Sequence, residues 1–182
     1  WYAARGRCVF CDIARQEITQ RVRMVHEHPE AIAFEPYASR APFETWILPR
    51  QHRAAFEESP AQALAGVAST LRVALRKLRA ALDDPPYNVV LHTAPLFEGG
   101  LPHYHWHLEI VPVLAQTGGF ELGSGFHINP TPPEEAAQFL RDLSRNVVGG
   151  KHKLLREGKW IGRPPMATPR RMAGSCLAIA TT

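Results

Sequence analysis

Hydrophobic and polar residues alternate along the chain in a pattern that predicts several short β-strands. The turn His28-Pro29-Glu30 joins the first two and indicates a hairpin, and Pro49 ends the third. Residues 115–125 are rich in glycine and are predicted to form a bend. The predicted strands lie within residues 22–28, 31–36, 41–50, 87–95 and 103–114.

The strongest helical signal follows the third strand. Ser59 is predicted as the N-cap, Pro60 as the first helical residue, and Gln62 as the partner that completes a capping box. The helix is predicted to stop at the Asp83-Asp84-Pro85-Pro86 segment. Apolar residues recur every three or four positions and form one face: Leu64, Val67, Leu71, Leu75, Leu78 and Leu82.

A second helix is predicted over residues 132–147, capped by Thr131 and ended by Gly149-Gly150. A short helical turn is predicted at residues 11–18. With strands before and after the long helix, the pattern predicts an α+β fold, a mainly antiparallel sheet with one long and one shorter helix packed on one face.

The length of 182 residues and the ordinary composition predict one domain with its own core. We assign that domain to residues 1–149 and expect a basic, poorly ordered tail at 150–182, which holds seven Lys/Arg and one acid. The remainder has 14 basic and 16 acidic residues, which argues against a nucleic-acid binder. No apolar run is long enough to span a membrane.

Three cysteines are present, Cys8, Cys11 and Cys176. The odd number, and an N-terminal stretch without the apolar core of a secretory signal, predict a reducing, cytoplasmic location. A CxxC pair in that setting indicates a metal site or a redox site, and no strand precedes this one as a redox motif would need. Zinc would need two more ligands, and spacing alone does not choose among His26, His28, His52, His92, His103, His105 and His107.

Histidine and apolar residues alternate in "HYHWHLEIVPVL". Side chains two residues apart share one face of a strand, so His103, His105 and His107 are predicted as neighbours. The opposite face is predicted to enter the core. We therefore expect the three histidines to line a functional cleft.

An HxHxH stretch preceded by "CVFCDI" and "FETWILPRQH" resembles the histidine-triad superfamily. Together with "NVVLHTAP", "PYASRAPFETWILPRQH" and "GGFELGSGFHINPTPPEEAAQFLR", it resembles the C-terminal half of galactose-1-phosphate uridylyltransferases, which are two fused histidine-triad-like repeats. The resemblance covers about residues 6–146. It implies a HIT-like fold and a nucleotidyltransferase of galactose metabolism.

The resemblance implies a structural zinc ion held by Cys8, Cys11, His52 and His103. It also offers a second arrangement, in which His92, His105 and His107 hold a metal together with a carboxylate from the other half of the enzyme. The retained CxxC pair favours the first arrangement.

The middle histidine of the family motif attacks the α-phosphorus, and the resemblance places His105 in that position with His107 beside it. The working motif of the uridylyltransferases is His-Pro-His-x-Gln, whereas this chain has Tyr104 at the proline position and His107 at the glutamine position. We therefore expect a second half that needs a first-half polypeptide or a second copy. The implied substrates are a UDP-sugar and a hexose 1-phosphate.

The glycine-rich segment resembles the part of the family that reaches a bound sugar nucleotide across a subunit interface. Two other functions stay open: a self-sufficient nucleotide hydrolase or phosphorylase with His105 as nucleophile, and a non-catalytic, zinc-stabilised interaction module. The residues that the resemblance implies as substrate contacts are Phe120, Glu121, Gly123, Ser124 and Asn129.

Overall fold

The computed structural model describes residues 1–95, 100–114 and 118–146. The predicted tail at 150–182 and the predicted helix end at Gly149-Gly150 lie outside the described residues. No helix within the described ranges has the length and apolar character to cross a membrane. The elements are α1 (Tyr2–Arg5), α2 (Val9–Gln20), β1 (Met24–Glu27), β2 (Ala31–Phe34), β3 (Thr45–Pro49), α3 (Ala61–Leu82), β4 (Tyr87–His92), β5 (His107–Pro112), α4 (Gly119–Ser124) and α5 (Pro133–Asn146).

The strands form one sheet in the order β1-β2-β3-β5-β4, and every neighbouring pair is antiparallel. The β1–β2 hairpin is confirmed, and β3 ends at Pro49 as predicted. The long helix α3 connects β3 to β4. The α+β class with a mainly antiparallel sheet is therefore confirmed.

Helices cover both faces of the sheet, although only one covered face was predicted. Ala33 and Ile47 belong to the core cluster that contains residues of α3 and α5, whereas Phe34 and Leu48 belong to a second cluster with Ala14 of α2. Neighbouring residues in a strand face opposite sides, so α2 lies on the second face. The predicted short turn at residues 11–18 is thus a helix of 12 residues, whose apolar side chains pack on that face.

The start of α3 differs from the prediction by one residue. Pro60, with an extended backbone, is the N-cap and makes no side-chain capping bond. The Ser59 hydroxyl instead accepts a hydrogen bond from Nε1 of Trp106 at 2.7 Å, and Gln62 donates to Glu30. Both polar side chains serve tertiary contacts, which a local capping rule does not anticipate. The predicted apolar face of α3 is confirmed, because its residues pack in the main core.

Two segments near the histidines depart from the predicted strands. β5 begins at His107, so residues 103–106 precede the strand. The amide of Tyr104 donates to the carbonyl of Leu101, and the amide of Trp106 donates to the carbonyl of Arg53. Part of the predicted glycine-rich bend is the six-residue helix α4. Trp106 still enters the core, fully buried, as the alternation predicted.

Replacing Gly66 by alanine is expected to destabilise the fold by about 1–3 kcal/mol. A Cβ atom at this position in α3 would lie 2.4 Å from Cβ of Glu30 and 3.1 Å from Nδ1 of His28, so the helix would be pushed off the hairpin turn. Gly123→Ala in α4 is the matched control, because its Cβ would meet nothing within 4 Å. Urea unfolding of both variants measures the difference, and equal effects would contradict the close approach.

Candidate functional site

The CxxC pair brackets the start of α2. Cys8 is the N-cap residue with an extended backbone, and Cys11 lies in the first turn. Cys8 is 4% exposed, whereas Cys11 is only partly buried. This placement brings both thiols to one end of the helix, close to the segment that follows β3.

His52 and His105 complete a group of four ligand atoms. Sγ of Cys11 lies 3.2 Å from Nδ1 of His52 and 3.6 Å from Nδ1 of His105. The ligand atoms of Cys8, Cys11, His52 and His105 all lie within 4.8 Å of one another. In the described ranges this is the one group of three or more such residues that could hold a metal ion.

The donor set of this group fits a metal ion. Two sulfur and two imidazole donors match a tetrahedral site, in which ligand atoms are separated by roughly 3.3–3.8 Å. Nδ1 of His105 faces Sγ of Cys11, whereas its buried Nε2 has no hydrogen-bond partner, so Nδ1 is the nitrogen that is placed for a metal ion. The four residues are therefore suited to bind a metal through two thiolates and two neutral rings.

The protonation of these ligands follows from their surroundings. Burial lowers the pKa of His105 to about 4, with His52 and His107 adding to the effect, while the carbonyls of Pro49 and Gln51 near the ring oppose it. His105 is thus neutral at physiological pH, as a metal ligand must be. Burial, and then the neighbouring Cys8, raise the pKa of the Cys11 thiol to about 11, so metal binding must displace its proton.

One residue predicted as a metal ligand, His103, lies apart from this group. It is exposed, with its ring centroid 5.9 Å from that of Tyr2. Its place is taken by His105, because the chain turns at residues 101–104 and the period of two does not extend back to His103. The structure brings Cys8, Cys11 and His52 together, and their role as metal ligands stays a prediction.

The next histidine along the chain, His107, begins β5. Its Nδ1 lies 3.0 Å from the carbonyl oxygen of His105, which can only accept, so Nδ1 carries the proton and Nε2 keeps the lone pair. The ring is packed among three aromatic side chains, with centroids 4.8 Å from Phe10, 4.9 Å from Trp46 and 4.6 Å from His92. His107 is only 4% exposed.

A polar row extends from His107 along the same face of the sheet. The His92 ring stacks on His107, and its Nε2 lies 2.7 Å from Oε2 of Glu109, which also binds Arg40. Burial would raise the pKa of Glu109, but the hydrogen bonds from His92 and Arg40 bring it below the usual range. Glu109 is therefore an anion enclosed by partners.

The alternative metal set of His92, His105 and His107 is not assembled. His105 belongs to the cysteine group, and His92 faces Glu109. Glu109 was missed by the sequence reasoning, although the period of two that groups the histidines also places it on their face. No sequence pattern linked Arg40 to this site, because it lies 69 residues from Glu109 in the chain.

The five predicted substrate residues lie in and after α4. Ser124 donates to the carbonyl of Phe120 and accepts from the amide of Phe126, so it closes the helix. Asn129 donates to the carbonyls of Ser39 and Ala41, on either side of Arg40. Phe120 is 60% exposed, whereas Glu121 and Gly123 lie within α4. Contact of these residues with a substrate stays a prediction.

No model of a known protein family matches the chain. The chain is 35% identical over 146 residues to ADP-glucose phosphorylase of Arabidopsis thaliana, which covers 79% of this chain and 40% of that protein. The solved structure of that protein with bound ADP-glucose gives a TM-score of 0.68 at 33% identity, over 78% of this chain and 45% of that one.

Two further relatives match the chain at 30% and 31% identity. Galactose-1-phosphate uridylyltransferase of Thermotoga maritima is 30% identical over 155 residues, 81% of this chain and 48% of that protein. An uncharacterized HIT-like protein of Methanocaldococcus jannaschii is 31% identical over 105 residues, 56% of this chain and 76% of that protein. The chain thus spans less than half the length of the two sugar-nucleotide relatives.

Proposed function

The chain belongs to the HIT-like family, and we propose that it is the C-terminal-type domain of a sugar-nucleotide nucleotidyltransferase that works with a complementary first half. The similarity to a uridylyltransferase and to ADP-glucose phosphorylase supports the reaction class. The substrates in this proposal are a UDP-sugar or ADP-sugar and a hexose 1-phosphate, with galactose metabolism as the setting. The cytoplasmic location stays a prediction.

The ion in the four-residue group is zinc in this proposal. It would have four protein ligands, which are Cys8, Cys11, His52 and His105. Its role would be structural, because it would link α2 to the segments after β3 and before β5. A site with four protein ligands keeps no open position for substrate. We therefore assign zinc no step in the transfer reaction.

In this proposal the nucleophile position belongs to His107 and not to His105. A metal ligand cannot also attack phosphorus, and His105 belongs to the metal group. His107 has the proton on Nδ1 and the lone pair on Nε2, the form that a nucleophilic imidazole needs. However, three rings enclose it in this chain, which favours a copy that needs its partner half or has no catalytic role.

The two edges of the sheet differ in how they are covered, and this difference supports the proposal that a partner binds at one of them. At the β1 edge, Arg141 donates to the carbonyls of Arg21, Val22 and Met24, and Lys77 donates to that of Val25. At the other edge, the apolar residues of β4 are exposed on both faces of the strand. Unpaired apolar edge strands favour association, so β4 is the surface on which we expect the partner. These exposed residues are Tyr87, Val89, Val90 and Leu91.

Reconstitution tests the proposal directly. The chain is mixed or co-expressed with the first half of a uridylyltransferase that carries a His-Pro-His-x-Gln motif. Association is measured by light scattering, and exchange between UDP-glucose and galactose 1-phosphate is measured in parallel with phosphorolysis of ADP-glucose. Activity of the mixture, absent from either part alone, is the expected result. A folded pair without activity on either sugar nucleotide would contradict the proposal.

Replacing His107 by alanine separates the two catalytic possibilities. If the first half supplies the nucleophile, the reconstituted His107→Ala pair keeps its turnover to within about tenfold; a nucleophile at His107 predicts a loss of more than about 1,000-fold. The fixed tautomer of His107 also favours a second candidate, a self-sufficient hydrolase or phosphorylase. In that case the isolated wild-type chain turns over a nucleotide substrate, and the His107→Ala variant does not.

A further inference from the structure

The four-residue metal group is open on one side. Cys8 and His105 are buried, 4% and 1% exposed, and form its inner half. Cys11 is partly buried and His52 is exposed. A cleft of about 450 Å³ reaches the group, and Cys8, Cys11 and His52 are among the residues that line it. Small solutes can therefore reach the sulfur atoms.

The cleft carries positive charge beside the sulfur atoms. Arg7 and Arg53 line it, together with one acid, Glu58. Arg7 also pairs with Asp12, at 2.7 Å. A cationic wall concentrates anionic reagents near the sulfur atoms that it surrounds.

The two sulfur atoms are close enough to react with each other. The sulfur atoms of Cys8 and Cys11 belong to the group of ligand atoms that lie within 4.8 Å of one another. The two residues are joined by a single helical turn at the start of α2. The Cys-x-x-Cys spacing is the one that disulfide oxidoreductases use, so a bridge can form within this turn.

We propose that the Cys8–Cys11 pair is an oxidation site, in which Cys11 reacts first with a peroxide and Cys8 resolves it to a disulfide that no longer binds the metal. The inference rests on the metal site proposed above and not on the transfer reaction. It adds a modification site on the side of α2 that the cleft exposes.

The chemistry balances with hydrogen peroxide as the oxidant. Cys11, whose proton is displaced when the metal binds, attacks one peroxide oxygen as a thiolate. The O–O bond breaks, and the released hydroxide takes a proton to become water. The Cys8 thiolate then attacks the sulfur of the Cys11 sulfenic acid, the S–S bond forms, and a second hydroxide leaves and is protonated. Two thiolates lose two electrons, and one peroxide becomes two waters. His52 and His105 alone would then remain as ligands, and two imidazoles would hold the metal ion too weakly to retain it.

The test uses the full chain with Cys176→Ser, so that only the two candidate cysteines react. Zinc content is measured first, and hydrogen peroxide is then added in the presence of a coloured zinc indicator. We expect release of the bound zinc, a peptide containing a Cys8–Cys11 disulfide by mass spectrometry, and recovery of both thiols and zinc binding after dithiothreitol.

A chain purified under reducing conditions that holds no zinc, even after zinc addition, contradicts both the metal site and this inference. Zinc retained after oxidation, or oxidation that stops at sulfinic acid without a disulfide, overturns this inference alone.

The role of the cleft is tested with thiol reagents of different charge. Arg53→Glu is expected to slow the reaction with a dianionic aromatic disulfide by about tenfold at low salt and to leave the reaction with neutral dithiodipyridine unchanged. Arg72→Glu, an exposed arginine of α3 outside the cleft lining, is the matched control and should change neither rate. Equal slowing of both reagents by Arg53→Glu, or equal effects of the two variants, would overturn the cleft as the route to Cys11.

Discussion

Replacing His105 by alanine is expected to lower the affinity for zinc by more than about 100-fold and to lower the melting temperature strongly. The substitution removes one of the four proposed metal ligands and leaves a void, because the His105 ring is 1% exposed. Burial raises the pKa of the Cys11 thiol, so without metal this thiol returns to the protonated form. Competition with a chelating dye and thermal unfolding, with and without zinc, measure the two effects.

His103→Ala is the matched control for that substitution. It removes the same side chain two residues away, where the ring is exposed and lies against Tyr2. Zinc affinity and melting temperature are expected to stay at the wild-type values. Loss of zinc binding in His103→Ala but not in His105→Ala would support the ligand set implied by the family resemblance and exclude His105 as a ligand.

The hairpin and the apolar face of α3 could be predicted because each depends on residues close in sequence. The error at His103 arose from applying a period of two to residues that precede the strand. The turn that places the Tyr104 amide on the carbonyl of Leu101 changes the direction of the chain, and β5 starts only at His107. Alternation identifies the face of a strand, but it does not locate the first residue of that strand.

The surroundings of His107 could be predicted only in part. Glu109 shares the period of the histidines and was within reach of the sequence pattern. Phe10 comes from α2 and Arg40 from the segment before β3, and both meet the site only once the sheet has formed. Such contacts depend on the order of strands in the sheet, because the neighbours of β5 are β3 and β4.

Replacing Arg23 by leucine is expected to destabilise the fold by about 3–5 kcal/mol. Arg23 is 5% exposed and places Nη2 and Nε at 2.6 and 3.0 Å from Oε1 of Glu17, which is itself 2% exposed. Its Nη1 lies 2.9 Å from Glu134 at the start of α5. The substitution leaves the carboxylate of Glu17 buried without its cation. Urea unfolding at pH 7 measures the loss.

The double variant Glu17→Leu, Arg23→Leu separates lost charge pairing from lost packing. It removes both buried charges and is expected to recover most of the stability. Glu134→Gln should cost less than about 1 kcal/mol, because the Glu134 side chain is 39% exposed. Burial already raises the pKa of Glu17, with the hydrogen bond from Arg23 opposing it, so the shift grows when Arg23 is removed. A carboxyl group with a raised pKa in the folded state binds more protons there than in the unfolded chain, so the Arg23→Leu variant should gain stability as the pH falls from 7 toward 5. A double variant as unstable as Arg23→Leu, with no gain at lower pH, would show that packing and not the unpaired carboxylate determines the loss.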